Sequence, residues 1–146
     1  MAITSEICNS FKVEILTGTH NFTASTGNTF NLALYTSSAT LNKSTTAYSS
    51  TNEITNTSGT SYSAKGNALT SVTPVLSTDT AVCDFANTSW SSASFTARGC
   101  LIFNDTAAGD PAVCAIDFGG DKTVTSGTFT IEFPAASAAT AIIGIA

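Results

Sequence analysis

Hydroxyl-bearing and apolar residues alternate along this chain, and that alternation does most to limit what it can fold into. Phe30, Leu32 and Leu34 alternate with Asn31 and Ala33; Phe129, Ile131 and Phe133 alternate with Thr130 and Glu132. A period of two puts one set on each face of a β-strand. Ser and Thr make up 45 of the 146 residues, and Asp, Glu, Lys and Arg only 15. A surface wet by hydroxyls has few ionic groups that are costly to desolvate. It suits a β-domain that packs against other protein copies. No catalytic constellation stands out.

The length fits one domain, residues 1–146, with enough chain to bury a real core without disulfide staples. A net charge of −5 and five scattered Lys and Arg argue against nucleic acid and against an anionic membrane as partners. No apolar run reaches the eighteen or so residues that span a bilayer. The opening Met1-Ala2-Ile3-Thr4-Ser5-Glu6 lacks the basic segment and long apolar run of a signal peptide, so the expectation is synthesis in a reducing cytoplasm. Cys8, Cys83, Cys100 and Cys114 form no CxxC. The last three sit among apolar β-formers, which reads as buried thiols.

Ile7, Cys8, Phe11, Ile15 and Leu16 recur at three- and four-residue spacing, which predicts an amphipathic helix over 4–17. Thr4 or Ser5 can cap its start and Gly18 can stop it. Its apolar face needs a cover, either the domain's own sheet, the default, or a neighbouring subunit. Strands are expected at Thr29–Tyr35 (half-buried), Ala68–Leu76, Thr80–Phe85, Ser94–Phe103, Ala112–Phe118 (central), Thr123–Thr125, Thr128–Phe133 and Thr140–Ile145. Asp105–Asp110 and Gly119-Gly120-Asp121 read as turns. Residues 37–67, rich in Ser, Thr and Asn, are too long for a plain loop. They predict an excursion with short strands near Tyr48 and at 60–62, able to lie on a neighbour. The fold class is mainly β: an antiparallel β-sandwich or jelly-roll-like single domain with a short N-terminal α-helix.

Several motifs have bland explanations. His20 is the one histidine, but Ser and Asp are so common that a triad match carries no information. Asp117-Phe118-Gly119 matches a kinase triplet without any other kinase motif. Asp105, Asp110, Asp117 and Asp121 flank one strand in no known cation-loop spacing. Sequons at Asn21, Asn42, Asn56, Asn87 and Asn104 arise by composition. Trp90 reads as a core or interface residue before a sugar platform. No catalytic, cofactor-binding or metal-binding residue is expected. The candidate partner contacts are Ile7, Phe11 and Ile15 on the helix and Tyr48 and Tyr62 in the excursion.

Four segments together carry a resemblance. They are Phe30-Asn-Leu-Ala-Leu-Tyr-Thr-Ser-Ser-Ala-Thr-Leu41 with Thr51-Asn52-Glu53-Ile54, Trp90-Ser-Ser-Ala-Ser-Phe-Thr-Ala-Arg98-Gly99, Asp117-Phe118-Gly119-Gly120-Asp121-Lys122, and Phe129-Thr-Ile-Glu-Phe-Pro134. Over residues 7–145 the pattern resembles a family of small virion structural proteins of tailed bacteriophages. The cysteines stand outside it, and it transfers no catalytic residue. The resemblance implies a non-enzymatic particle component made in the host cytoplasm. The expectation is a capsid decoration (cement) protein on the shell exterior. Its partners would be the major capsid protein and further copies of itself, as a homotrimer or other homo-oligomer. The competing expectation is a tail component (adaptor, tube or fibre subunit), with or without contact to a host glycan.

Overall fold

The computed structural model describes residues 2–55 and 59–146. In chain order its elements are β1 (Glu6–Ile7), α1 (Asn9–Leu16), β2 (Phe30–Tyr35), β3 (Asn67–Ala68), β4 (Ser71–Ser77), β5 (Thr80–Phe85), β6 (Thr88–Asn104), β7 (Ala112–Ile131) and β8 (Ile143–Ile145). They form a five-stranded sheet, β1-β7-β6-β2-β3, and a three-stranded sheet, β4-β5-β8. Every strand pair is antiparallel. One apolar cluster draws on both sheets, so the chain is a mainly β single domain of sandwich type, as expected.

β2 shows why both faces of the large sheet matter. All six of its residues are buried, against the half-buried strand expected. Phe30, Leu32 and Leu34 face the small sheet: the Phe30 ring stacks on Phe22 at 4.2 Å and reaches Phe85 of β5 at 6.0 Å. Asn31, Ala33 and Tyr35 face the other way, and Asn31 pairs with Phe103 of β6. On that face Tyr48 stacks on Phe103 at 4.7 Å, and Ala39 and Leu41 are buried. The 37–67 excursion therefore covers the second face of its own sheet. Burying a side chain such as Leu32 contributes about 1.5–3 kcal/mol.

The helix is shorter than the 4–17 expected. The Thr4 N–H donates to the Leu41 carbonyl, and the Cys8 N–H to that of Val113. Glu6 and Ile7 pair with Ala115 and Cys114. With these groups committed to distant chain, helix begins only at Asn9. Its N-cap is Cys8, not Thr4 or Ser5, and makes no side-chain cap bond. Gly18, at φ +77°, follows its end as expected. The expected apolar face is split: Cys8 and Phe11 are buried, while Leu16 is 87 % exposed.

Other boundaries shift for similar reasons. Residues 68–76 divide between β3 and β4, in different sheets. β6 starts at Thr88, ahead of the expected Ser94. The pieces expected at 112–118, 123–125 and 128–133 are one strand, β7, because bulges absorb the presumed turns. Between the pairs Gly99↔Asp117 and Ala97↔Lys122, Arg98 alone faces Phe118, Gly119, Gly120 and Asp121. Gly119 takes φ +79° there, so the expected turn is a bulge and the strand continues. The turn at 105–111 and β5 at Thr80–Phe85 fall where expected. The last strand covers only Ile143–Ile145.

The described part of the excursion holds isolated bridges in place of the expected short strands: Ile3↔Leu41, Tyr35↔Glu53 and Ala47↔Pro111. The Asn56 sequon lies outside the described residues. The four cysteines are free and buried, three of them in strands as expected. Asn104 is fully buried, which removes its sequon from the surface.

Candidate functional site

Two buried polar clusters stand out in this weakly charged chain. The first centres on Glu53, in the excursion. Its Oε2 accepts from the Tyr48 hydroxyl at 2.5 Å. Its Oε1 accepts from the Tyr62 hydroxyl at 2.6 Å and from the Lys65 backbone N–H at 2.7 Å. The Tyr62 oxygen in turn accepts the Leu34 N–H of β2 at 2.9 Å. The Leu34 carbonyl accepts from the Ile54 N–H. A buried carboxyl with three donors is satisfied, and each donor would be orphaned without it.

The side chain of Lys65 extends this cluster outward. Its Nζ lies 2.8 Å from both Asp105 and Asp110 and 5.6 Å from the Tyr48 ring centre. Hydrogen bonds to Asp105 and Asp110 hold the ammonium charged well above the ordinary lysine range. Burial, then the hydrogen bond to Glu53, pushes the Tyr48 phenol up to about 12. The same two causes raise Tyr62 further. Both phenols are thus kept as donors and are poor nucleophiles.

The second cluster centres on His20, whose side chain is fully buried. The Asn104 oxygen accepts the N–H groups of Thr106 and Ala107, which turns its amide nitrogen inward. That nitrogen lies 3.1 Å from His20 Nδ1, so Nδ1 is the acceptor and Nε2–H donates to Glu14 at 3.1 Å. Phe11, Phe22 and Phe30 pack around the ring. Both imidazole nitrogens bond to groups other than a hydroxyl.

The candidate partner contacts separate into these clusters. Phe11 is buried against His20 and Phe22, and Tyr62 against Trp90 and Phe95. Neither can touch a partner while the chain is folded, because the domain's own sheet and excursion already cover them. Ile7 is half-buried in β1, not on the helix, and Ile15 is half-buried at a cleft. Tyr48 is half-buried over Phe103. The five do not form one surface. Trp90 is core, packed on Tyr62, Phe95 and Phe129. Asp117 pairs with Arg98 at 2.9 Å and caps the Gly119 N–H. Among the described residues no three His, Cys, Asp or Glu side chains converge as a metal site.

Sequence reasoning did not single out the roles of Glu53, Lys65 and Asn104. One signal was available: Lys43, Glu53 and Lys65 are the only charged residues between 37 and 67, where any buried charge must organise its surroundings.

The outer side of β7 is the third feature. β1 pairs only with Cys114 and Ala115, and the Asp117 N–H bonds the Ser5 hydroxyl. From Phe118 to Ile131, β7 has no strand on that side among the described residues. Phe118, Phe129 and Ile131, all half-buried, line a shallow cleft of about 380 Å³ with Lys122 and Thr130, on the face where this bulged segment bends and brings the Phe118 and Phe129 rings within 6.2 Å.

No protein-family model matches the chain, and neither a curated protein nor a solved structure matches it.

Proposed function

We propose that the chain is a non-enzymatic structural protein of a tailed-phage particle, acting as a capsid decoration protein. The observation that carries this reading is the open outer side of β7 from Phe118 to Ile131, with an apolar cleft beside it. An unpaired edge offers backbone donors and acceptors to a strand of another molecule, and the cleft offers a seat for its side chains. The polar clusters support the same reading, because Glu53 and His20 bond inward and present no reactive group. Sparse charge elsewhere lowers the cost of covering the surface. The partners are the major capsid protein and further copies of this chain. Many modest contacts on one shell gain strength from effective concentration.

Cryo-electron microscopy of purified virions tests this. Density for the chain on the capsid exterior, at or near symmetry axes, is the expected result. Density confined to the tail would replace decoration with a tail role. Purified chain should also bind empty shells, and its failure to do so would count against decoration.

A further inference from the structure

The large apolar side chains that stay exposed among the described residues gather in three elements. They are Val13 and Leu16 of α1, Val72, Val75 and Leu76 of β4, and Ile145 of β8. α1 and the small sheet border one cleft of about 440 Å³, with Ile15 and Gly18 on the helix side and Pro74, Ala81 and Ile145 on the sheet side. Leu76 pairs with Ala81, and Ala81 with Ile145, so the three form a cross-strand row on the face that borders the cleft. Leu76 is 71 % exposed and Ile145 52 %. This row extends past the core, and the described residues leave both of its ends largely uncovered.

The two banks differ in charge. On the helix bank, Lys12 lies four residues before Leu16 and shares its exposed face, while Glu14 is turned toward His20. On the sheet side, Asp79 sits exposed in the β4–β5 turn, just beyond Leu76. No Lys or Arg occurs between residues 66 and 97. Outside the cleft itself, an exposed cation, Lys12, thus accompanies Leu16 on the helix, and an exposed anion, Asp79, follows Leu76 at the end of β4.

We propose that this face binds a second copy of the chain about a two-fold axis through the cleft. The helix bank of each copy lies on the Leu76–Ala81–Ile145 row of the other, and Lys12 approaches Asp79 twice. A two-fold contact requires a surface complementary to itself, and the Lys12–Leu16 patch of one copy against the Leu76–Asp79 patch of the other meets that requirement. Placing like banks together would oppose Asp79 to Asp79. The contact uses none of the β7 edge, so it goes beyond the proposed function and is tested apart from it.

Sedimentation equilibrium of the purified full chain, from low to high micromolar concentration, reads the result. The wild type is expected to be a dimer. Leu16→Asp and Leu76→Asp should each give a monomer that melts as the wild type does when diluted to monomer, because both side chains lie outside the core. Lys12→Asp and Asp79→Lys should each weaken dimerisation about tenfold, since each turns two attractions per dimer into repulsions. The double variant should regain the lost affinity. A wild type that stays monomeric or forms a trimer would overturn the proposal. A dimer indifferent to both leucine variants, or a double variant no tighter than the singles, would do the same. Each of these results leaves the virion experiment free to succeed or fail by itself.

Discussion

The two sheets are made from the same kind of sequence and end up in different states. The centre of the large sheet, around β2, is covered on both faces, and two of the sheet's neighbouring cations, Lys65 and Arg98, are held by carboxylates. The small sheet has one strand, β4, on which no residue is buried, and no cation at all between residues 66 and 97. The difference comes from what folds over each. The described part of the excursion covers β2 and Phe103 and fastens itself with Glu53, whereas among the described residues nothing comparable closes over Leu76 and Ile145. Strand alternation alone does not decide burial; the cover does.

Removing the fastening should therefore affect only the large sheet, and the largest effect is expected where backbone meets backbone. Gly66 leads into β3 at φ +66°, and a side chain there would collide with the Leu32 carbonyl. Gly66→Ala should cost about 4 kcal/mol or more, seen as loss of the cooperative urea transition. A fully stable Gly66→Ala chain would show that the excursion does not grip β2.

Phe11→Ala comes next, at about 3–5 kcal/mol, because its ring fills the core between the sheets. Glu53→Ala follows closely, at about 3 kcal/mol, since it orphans two hydroxyls and the Lys65 N–H. Limited proteolysis of Glu53→Ala should cut first within residues 37–66 and spare β4–β5. Equal cutting in both regions would erase the contrast.

Alkali should separate the regions without a mutation. All three tyrosines, Tyr35, Tyr48 and Tyr62, belong to the large sheet and its cover. Tyr48 is raised from an ordinary 10.0 to about 12, chiefly by burial and then by its bond to Glu53, so folding favours the neutral phenol. Its contribution is complete below pH 10 and is lost as pH climbs toward about 12. Hydrogen exchange through that window should show the excursion losing protection before β4–β5. The reverse order would place the alkaline-sensitive contact elsewhere.

The smallest effect belongs to the small sheet: Val75→Thr, at an exposed position, should change stability by about 0.5 kcal/mol or less in denaturant titration.

These regions also differ in how far they could be read from sequence. β5 and the 105–111 turn follow from local alternation and turn residues, and both stand where expected. The start of α1 does not follow, because the Leu41 and Val113 carbonyls, far along the chain, take the N–H groups of Thr4 and Cys8. The bulge at Gly119 looks like a turn until Arg98 is found opposite it. The Glu53 cluster was least legible, since Tyr48, Glu53 and Tyr62 converge only after an irregular loop has folded. Asn104 shows the same problem: a sequon in sequence, it is the buried hinge of the His20 cluster in space.

The hydrogen bond from Leu34 to Tyr62 has one more consequence. At that point of β2, the Tyr62 hydroxyl and the Ile54 N–H take the groups that a further strand would need. Next to β3, the edge of β2 is thus closed at Leu34 by a side chain and a loop, while β7 is left unfinished along its outer side. A sheet with one dead end can accept a guest strand without becoming a link in an endless ribbon.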